Sequence, residues 1–240
     1  LTASQFTNNN PNFATVTFNV TDGYQKITPI DVVVTIVGDQ KTNPYDGEAH
    51  TASGYTATAS SDLYDVDNDI DFSGTATATR TNVVEGTDTD GQTDMGLTAS
   101  QFSNNNPNFG TVTFNVTDGY QKITPIDVTV TIVGANNTAD YDGEAHTVTG
   151  YTATASTALY DVDNDFTFSG TASASRTDAG TTNMGLAASQ FTNTNTNFAT
   201  VTFQVTDGYQ KITPIDVTVT IVGDQQTNPY DGEAHTASGY

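Results

Sequence analysis

The sequence has no cysteine in 240 residues, so it holds neither a disulfide framework nor a thiolate metal site. That absence leaves an extracellular location open. Basic residues are almost missing: 6 Lys and Arg stand against 28 Asp and Glu, a net charge of −22. A surface this acidic repels nucleic acid and anionic membranes and favours solubility and divalent cations. Neither a nucleic-acid partner nor membrane insertion is expected. No apolar run reaches the length of a membrane span, and no targeting segment is visible, so a secreted chain would carry its signal outside this stretch. Glu occurs only at 48, 85, 144 and 233, and no segment has an amphipathic helical period. The acids are mostly Asp, a turn and cation-ligand residue and a poor helix former.

What is present is repetition. Residues 1–38 match 97–134 with three differences, Thr7/Ser103, Ala14/Gly110 and Val33/Thr129, and 186–223 is a further copy. Tyr45-Asp-Gly-Glu-Ala-His50 returns at 141–146 and 230–235, at spacings of 96 (141 − 45) and 89 (230 − 141) residues. The seven-residue difference lies between Arg80 and Met95, where the first copy has an extra acidic loop.

The stretch from Tyr24 to Gly38, repeated at 120–134 and 209–223, reads as a joint between domains. Tyr-Gln-Lys-Ile-Thr closes one repeat. The proline at 29, 125 or 214 lacks an N–H and marks a break. Ile126, Val128, Val130 and Ile132 then alternate with Asp127, Thr129 and Thr131, the period of a half-buried strand that opens the next repeat. With no linker, successive domains are expected in a short, stiff, repeated geometry. Cutting at the proline gives 1–29 as the C-terminal part of one repeat, 30–125 and 126–214 as complete β-sandwich repeats, and 215–240 as the N-terminal part of another. The two end pieces lack the equivalent of 56–96, so together they do not make a whole domain, and a window on a longer array is the simpler reading. About seven short strands per repeat, at His50–Ser60, Phe72–Thr81 and Thr111–Thr117 among others, predict an all-β immunoglobulin-like sandwich.

The ordered motifs Tyr-Asp-Gly-x-x-His, Gly54-Tyr-Thr, Leu63-Tyr64, Phe72-Ser-Gly-Thr-Ala76, Asp178-Ala-Gly180, Met184-Gly-Leu186, Phe191-Thr-Asn193, Asn197-Phe198, Val-Thr-Asp-Gly and Ile-Thr-Pro run through the whole chain. In that order they resemble the mostly-β, glycine-rich (MBG-type) tandem repeats of large bacterial surface proteins and adhesins. The first copy departs at Asn82–Asp94, where a longer loop replaces the compact Asp-Ala-Gly turn. The resemblance implies a secreted or wall-anchored stalk module at the bacterial cell surface, and no catalytic residues.

Three constellations bear on chemistry. Asp65, Asp67 and Asp69 recur as Asp161, Asp163 and Asp165, and Asp at i, i+2 and i+4 is how calcium loops begin. Glycine is missing at the sixth position and glutamate at the twelfth, so this is no EF-hand loop; the alternative is an acidic stripe facing solvent. Asp88, Asp90 and Asp94 flank Gly91 in the extra loop as a second candidate Ca²⁺ ligand set, or as a solvated extension. His50, His146 and His235 each follow a glutamate by two residues, on the same face of a strand, where a structural role near the turn outweighs half of a metal or acid–base site. Lys26, Lys122 and Lys211 recur on the closing strand, and Asn19, Asn115 and Asn136 begin glycosylation sequons.

No nucleophile–base set appears, so the chain is not expected to be an enzyme, and Ca²⁺ is the only cofactor considered. The expected role is a structural stalk or fibre whose partners are neighbouring repeats and, in fibres, other copies. The alternative is a multivalent module that binds carbohydrate, protein or another host or surface ligand.

Overall fold

The computed structural model describes residues 1–240. No α-helix is present, and the only helical segments are three-residue 3-10 turns at Ala3–Gln5, Ala99–Gln101 and Ala188–Gln190. The chain divides into two units, Leu1–Thr124 and Pro125–Tyr240.

All strands of the first unit lie in residues 30–124. They are β1 (Ile30–Gly38), β2 (Gln40–Pro44), β3 (His50–Ser53), β4 (Tyr55–Ala59), β5 (Ile70–Phe72), β6 (Thr77–Arg80), β7 (Gln92–Asp94), β8 (Phe102–Asn104), β9 (Phe109–Thr117) and β10 (Tyr120–Thr124). They form four small sheets, ordered β4-β1-β9, β2-β10-β7, β3-β6 and β5-β8. The second unit repeats this with β11 (Ile126–Gly134), β12 (Asn136–Asp140), β13 (His146–Thr149), β14 (Tyr151–Ala155), β15 (Phe166–Phe168), β16 (Ser173–Arg176), β17 (Gly180–Asn183), β18 (Phe191–Asn193), β19 (Phe198–Thr206) and β20 (Tyr209–Thr213). Its sheets are β14-β11-β19, β12-β20-β17, β13-β16 and β15-β18.

The spine of each unit is one long parallel ladder between its first and last strands. Val37 faces Thr117 and Gln40 faces Tyr120, so the offset is 80 residues on both sides of the jog at Gly38 (117 − 37, 120 − 40). In the second unit Val133 faces Thr206 and Asn136 faces Tyr209, an offset of 73 (206 − 133, 209 − 136). The difference of seven is the extra loop, which lengthens the chain between the paired strands without disturbing the pairing. At the jog the backbones touch: a Cβ on Gly38 would stand 2.3 Å from the amide nitrogen of Gly119, and one on Gly134 would stand 2.3 Å from that of Gly208. No real Cβ makes such a contact, so glycine is required there for a steric reason.

Alternation on β1 and β11 places Val32, Val34 and Ile36, and Val128, Val130 and Ile132, in the cores at 3 % exposure or less. Each such side chain contributes about 1.5–3 kcal/mol. In the first unit they pack with Ala52, Tyr64, Ala78, Met95, Leu97, Phe102 and Phe109, drawn from several of the small sheets. Tyr55, Phe72 and Phe102 stack and abut at centroid distances of 4.8–5.2 Å, and Tyr151, Phe168 and Phe191 repeat the cluster.

The strand count differs from the expected seven because two apparent strands are each broken. Gly54, at φ 86°, splits His50–Ser60 into β3 and β4, which join different sheets. Ser73–Ala76 likewise separates β5 from β6. Gln40–Pro44, with no apolar alternation, reads as a turn but is β2, an edge strand held by the backbone of β10. Residues 6–29 and 214–240 contain no strand.

Candidate functional site

The acidic segment 65–69 is a closed turn rather than an extended stripe. The amides of Asn68 and Asp69 donate to the Asp65 carbonyl at 3.2 and 2.7 Å. Both carboxylate oxygens of Asp65 are used within the turn: Oδ1 accepts from the Asp67 amide at 3.0 Å and Oδ2 from the Asn68 side chain at 2.8 Å. Asp69 Oδ2 accepts from the Asp65 amide at 3.0 Å. Asp161, Asp163 and Asp165 repeat these bonds within 0.2 Å. The Asn68 and Asn164 amides are the first cause that lowers the Asp65 and Asp161 pKa values, followed by the backbone amides of Asp67 and Asp163. The turn is tied to the core from below: the buried Tyr64 hydroxyl donates to the Asp69 carbonyl at 2.9 Å, and that of Tyr160 to the Asp165 carbonyl at 3.0 Å. Burial, then the charge of Asp165, pushes the Tyr160 pKa up to about 12.

The extra loop is organised around a residue that alternation does not single out. Arg80 lies at the end of β6 with its side chain 1 % exposed. Its guanidinium donates to the carbonyls of Asn82, Val83 and Gln92 at 2.7–2.8 Å, to the Thr93 hydroxyl at 3.1 Å and to Asp88 Oδ2 at 2.5 Å. Asp88 is therefore the counterion of a buried cation, and the Arg80 hydrogen bond is the first cause that lowers its pKa. Asp88 Oδ1 accepts from the Asp90 amide, Asp90 Oδ1 from the Gln92 amide and Asp94 Oδ1 from the Gln92 side chain, at 2.7–3.0 Å. Glu85 closes the other side of the loop by accepting the amides of Thr81 and Asn82 at 2.9 Å. In the second unit Arg176 makes the shorter version: Asp178 and Ala179 carbonyls at 2.7 and 2.8 Å, with Thr181 and Thr182 at 3.3–3.5 Å. The signal was in the composition, for these are the chain's two arginines and each stands immediately before the variable loop.

Each histidine closes its turn on an aspartate. His50 Nε2 bonds Asp46 at 2.9–3.0 Å, four residues back, rather than Glu48. Asp46 Oδ1 also accepts the Glu48 amide at 2.9 Å, because Gly47 at φ 83° folds the turn over. His146–Asp142 and His235–Asp231 repeat the pair at 3.1 and 2.9 Å.

Two further polar side chains are fully buried, and alternation does not single them out. Gln121 and Gln210 are fully enclosed beside Ile123 and Ile212, because β10 and β20 turn Gln and Ile inward and Tyr, Lys and Thr outward. Gln121 donates to Asn43 and to the Lys122 carbonyl at 3.0 and 3.1 Å. Gln210 accepts from Asn137 at 3.0 Å. Lys122 is half-buried and Lys211 exposed.

No three His, Asp or Glu side chains converge in a metal-holding arrangement. An open cleft of about 510 Å³ is lined by Tyr151, Thr152, Val162, Asp163, Phe166 and Phe168. No helix is long and apolar enough to cross a membrane. No protein-family model, curated protein or solved structure matches the chain.

Proposed function

We propose that the chain is a segment of tandem immunoglobulin-like β-sandwich repeats that serves as a stalk or fibre in an adhesin-like protein at a bacterial cell surface or secreted from it. The observation that carries this reading is the repetition of one unit, with the same strand order and each copy with its own spine ladder and core, the copies following one another with a single proline between β10 and β11. Copying a unit at that fidelity adds length rather than new chemistry. The polar clusters support the same reading, since the acidic turns, the arginine-clasped loop and the histidine turns all spend their groups on closing loops. The 28 acidic residues keep such a surface solvated and keep neighbouring copies apart.

Small-angle scattering on the chain tests this. A β-strand rises about 3.3 Å per residue, so a spine that runs from residue 30 to residue 44 gives each unit about 50 Å of length. The expected profile is that of a rod lengthening by that amount per unit. A compact globule ends the stalk reading.

A further inference from the structure

The open cleft of the second unit is lined entirely by residues between 151 and 168, inside a complete repeat. Its volume of about 510 Å³ falls in the range of small-ligand sites, roughly 300–1,000 Å³. Part of its wall is aromatic: Tyr151, Phe166 and Phe168 line it, each half-buried. Core neighbours hold these rings in place. Tyr151 meets Phe168 edge to face at 5.2 Å, and Phe166 abuts Phe191 and Phe203 at 5.7 and 5.5 Å. A ligand that settles on them therefore loses little free energy to side-chain ordering.

The rest of the lining is polar and uncommitted. Asp163 is the exception in its turn. Asp161 uses both carboxylate oxygens to close the turn and Asp165 uses one, whereas Asp163 contributes its amide alone. Its carboxylate stands exposed at the cleft and accepts no hydrogen bond within the chain. The hydroxyls of Tyr151 and Thr152 line the same cleft and have no partner in the chain either. Three polar groups are thus free beside a fixed aromatic wall.

We propose that this cleft binds a neutral pyranose sugar. A pyranose presents C–H groups on its faces and hydroxyls around its rim, and the cleft offers a partner for each. The face of an aromatic ring carries partial negative charge and attracts polarised C–H groups. A carboxylate with two free oxygens accepts from two adjacent hydroxyls, and bonds to a charged acceptor are the stronger ones. The Tyr151 and Thr152 hydroxyls both donate and accept. An anionic sugar is disfavoured by the net charge of −22. Phe166 distinguishes this unit from the first, which repeats Tyr55, Thr56, Asp67 and Phe72 but has Ile70 in its place. The site stands whether or not the array is a stalk, and it gives the second unit a recognition role of its own.

Saturation-transfer NMR on the full chain tests this, with glucose, galactose, mannose and N-acetylglucosamine as probes at millimolar concentration. Irradiation of the aromatic protons is expected to transfer saturation to the C–H protons of at least one of these sugars. Phe166→Ile installs the residue that the first unit already packs at position 70, and it is expected to remove most of the transfer. Asp163→Asn keeps the amide that closes the turn and is expected to weaken binding about tenfold. Resonances away from the cleft report whether each variant is folded. No transfer to any of the four sugars, or transfer that both variants leave unchanged, overturns the proposal. So does tighter binding of tetramethylammonium than of every sugar, which would mark a site for an organic cation. The cleft and the stalk fail separately: compact scattering with sugar transfer removes only the stalk, and a rod without transfer removes only the sugar site.

Discussion

Residues 1–28 and 97–124 differ at two positions, Thr7 for Ser103 and Ala14 for Gly110, yet the first stretch carries one 3-10 turn and the second carries that turn and three strands. What survives in both is local. The Thr2 amide donates to Gln5 Oε1 at 2.7 Å, as Thr98 does to Gln101. Asn10 and Asn12 donate to the side chains of Asn8 and Asn10 at 3.0 Å, as Asn106 and Asn108 do to Asn104 and Asn106 at 3.0–3.1 Å. What is lost spans the domain. Gln25 is exposed where Gln121 is fully buried, because the ladder that covers Gln121 comes from residues 80 positions earlier. Caps and Asn turns are written within a few residues and form wherever those residues occur. An alternating sequence is a capacity to form a strand, and the partner decides whether it does.

The largest test of this difference substitutes the same residue in the two copies of one strand. Ile132 is fully buried and Ile221 is 68 % exposed, in identical nine-residue sequences. Ile132→Ala is expected to cost the second unit about 2–5 kcal/mol, by lost transfer energy and the cavity left behind. Ile221→Ala is expected to change stability by less than about 0.5 kcal/mol in dilute solution. Hydrogen exchange read separately in each unit measures both; equal costs would mean that 215–223 is packed after all.

A second comparison lies between the units. Arg80 is enclosed with a carboxylate partner, whereas Arg176 is half-exposed and bonds carbonyls and a hydroxyl. Arg80→Ala leaves the carbonyls of Asn82, Val83 and Gln92 without their donor around a buried void, while Asp88 stays open to water; the expected loss is about 3 kcal/mol. Arg176→Ala is expected to cost less than half of that, since its partners remain open to water. The same exchange measurement ranks the two variants, and an equal or inverted ranking removes the role given to the extra loop.

The third test is smaller and concerns acid. Hydrogen bonds from Glu144 and then His146 lower the Asp142 pKa, and those from Glu233 and then His235 lower that of Asp231. A depressed folded-state pKa gives stability that is present above the unfolded value, near 3.9, and is lost as pH falls through the folded one. Both aspartates are expected to titrate below the ordinary value by NMR, because the turn is local. Only the protonation of Asp142 is expected to weaken a ladder, since Asp231 lies in a stretch with no strand. If Asp231 titrates at the ordinary value, the histidine turn depends on the folded unit and is not a local structure.

The all-β class was legible because the period-two burial pattern on β1, β9, β11 and β19 follows from apolar residues at every second position and needs no knowledge of partners. β2 was not, because Gln40–Pro44 is polar throughout and its strand character comes from the backbone of β10, 80 residues on. Gly54 gave no sign by itself that it divides two strands between different sheets. Among the polar groups, a structural role for His50 near the turn was legible, but its pairing with Asp46 turns on a backbone angle at Gly47 that spacing does not show. Arg80 gathers carbonyls scattered over residues 82–92, so its rarity and its place before the variable loop mark the residue but not its partners.

The smallest expected effect is that of calcium, and it falls on the two units alone, because the equivalents of 65–69 are absent from 1–29 and 215–240. Ca²⁺ takes six to eight oxygen ligands. To recruit Asp161, a cation must displace the Asp163 amide from Oδ1 and the Asn164 side chain from Oδ2, and Asp165 must release the Asp161 amide. Each displaced donor then needs a new partner, which offsets the relief of carboxylate repulsion. A cation that binds only the folded form raises stability with the logarithm of its concentration. Millimolar Ca²⁺ is therefore expected to move the melting temperature of the chain no further than the same concentration of Mg²⁺, which holds its waters more tightly and enters strict octahedral sites. A rise specific to Ca²⁺, reduced by Asp163→Asn, would show that the turn opens to take the ion and that its internal hydrogen bonds are weaker than their lengths suggest.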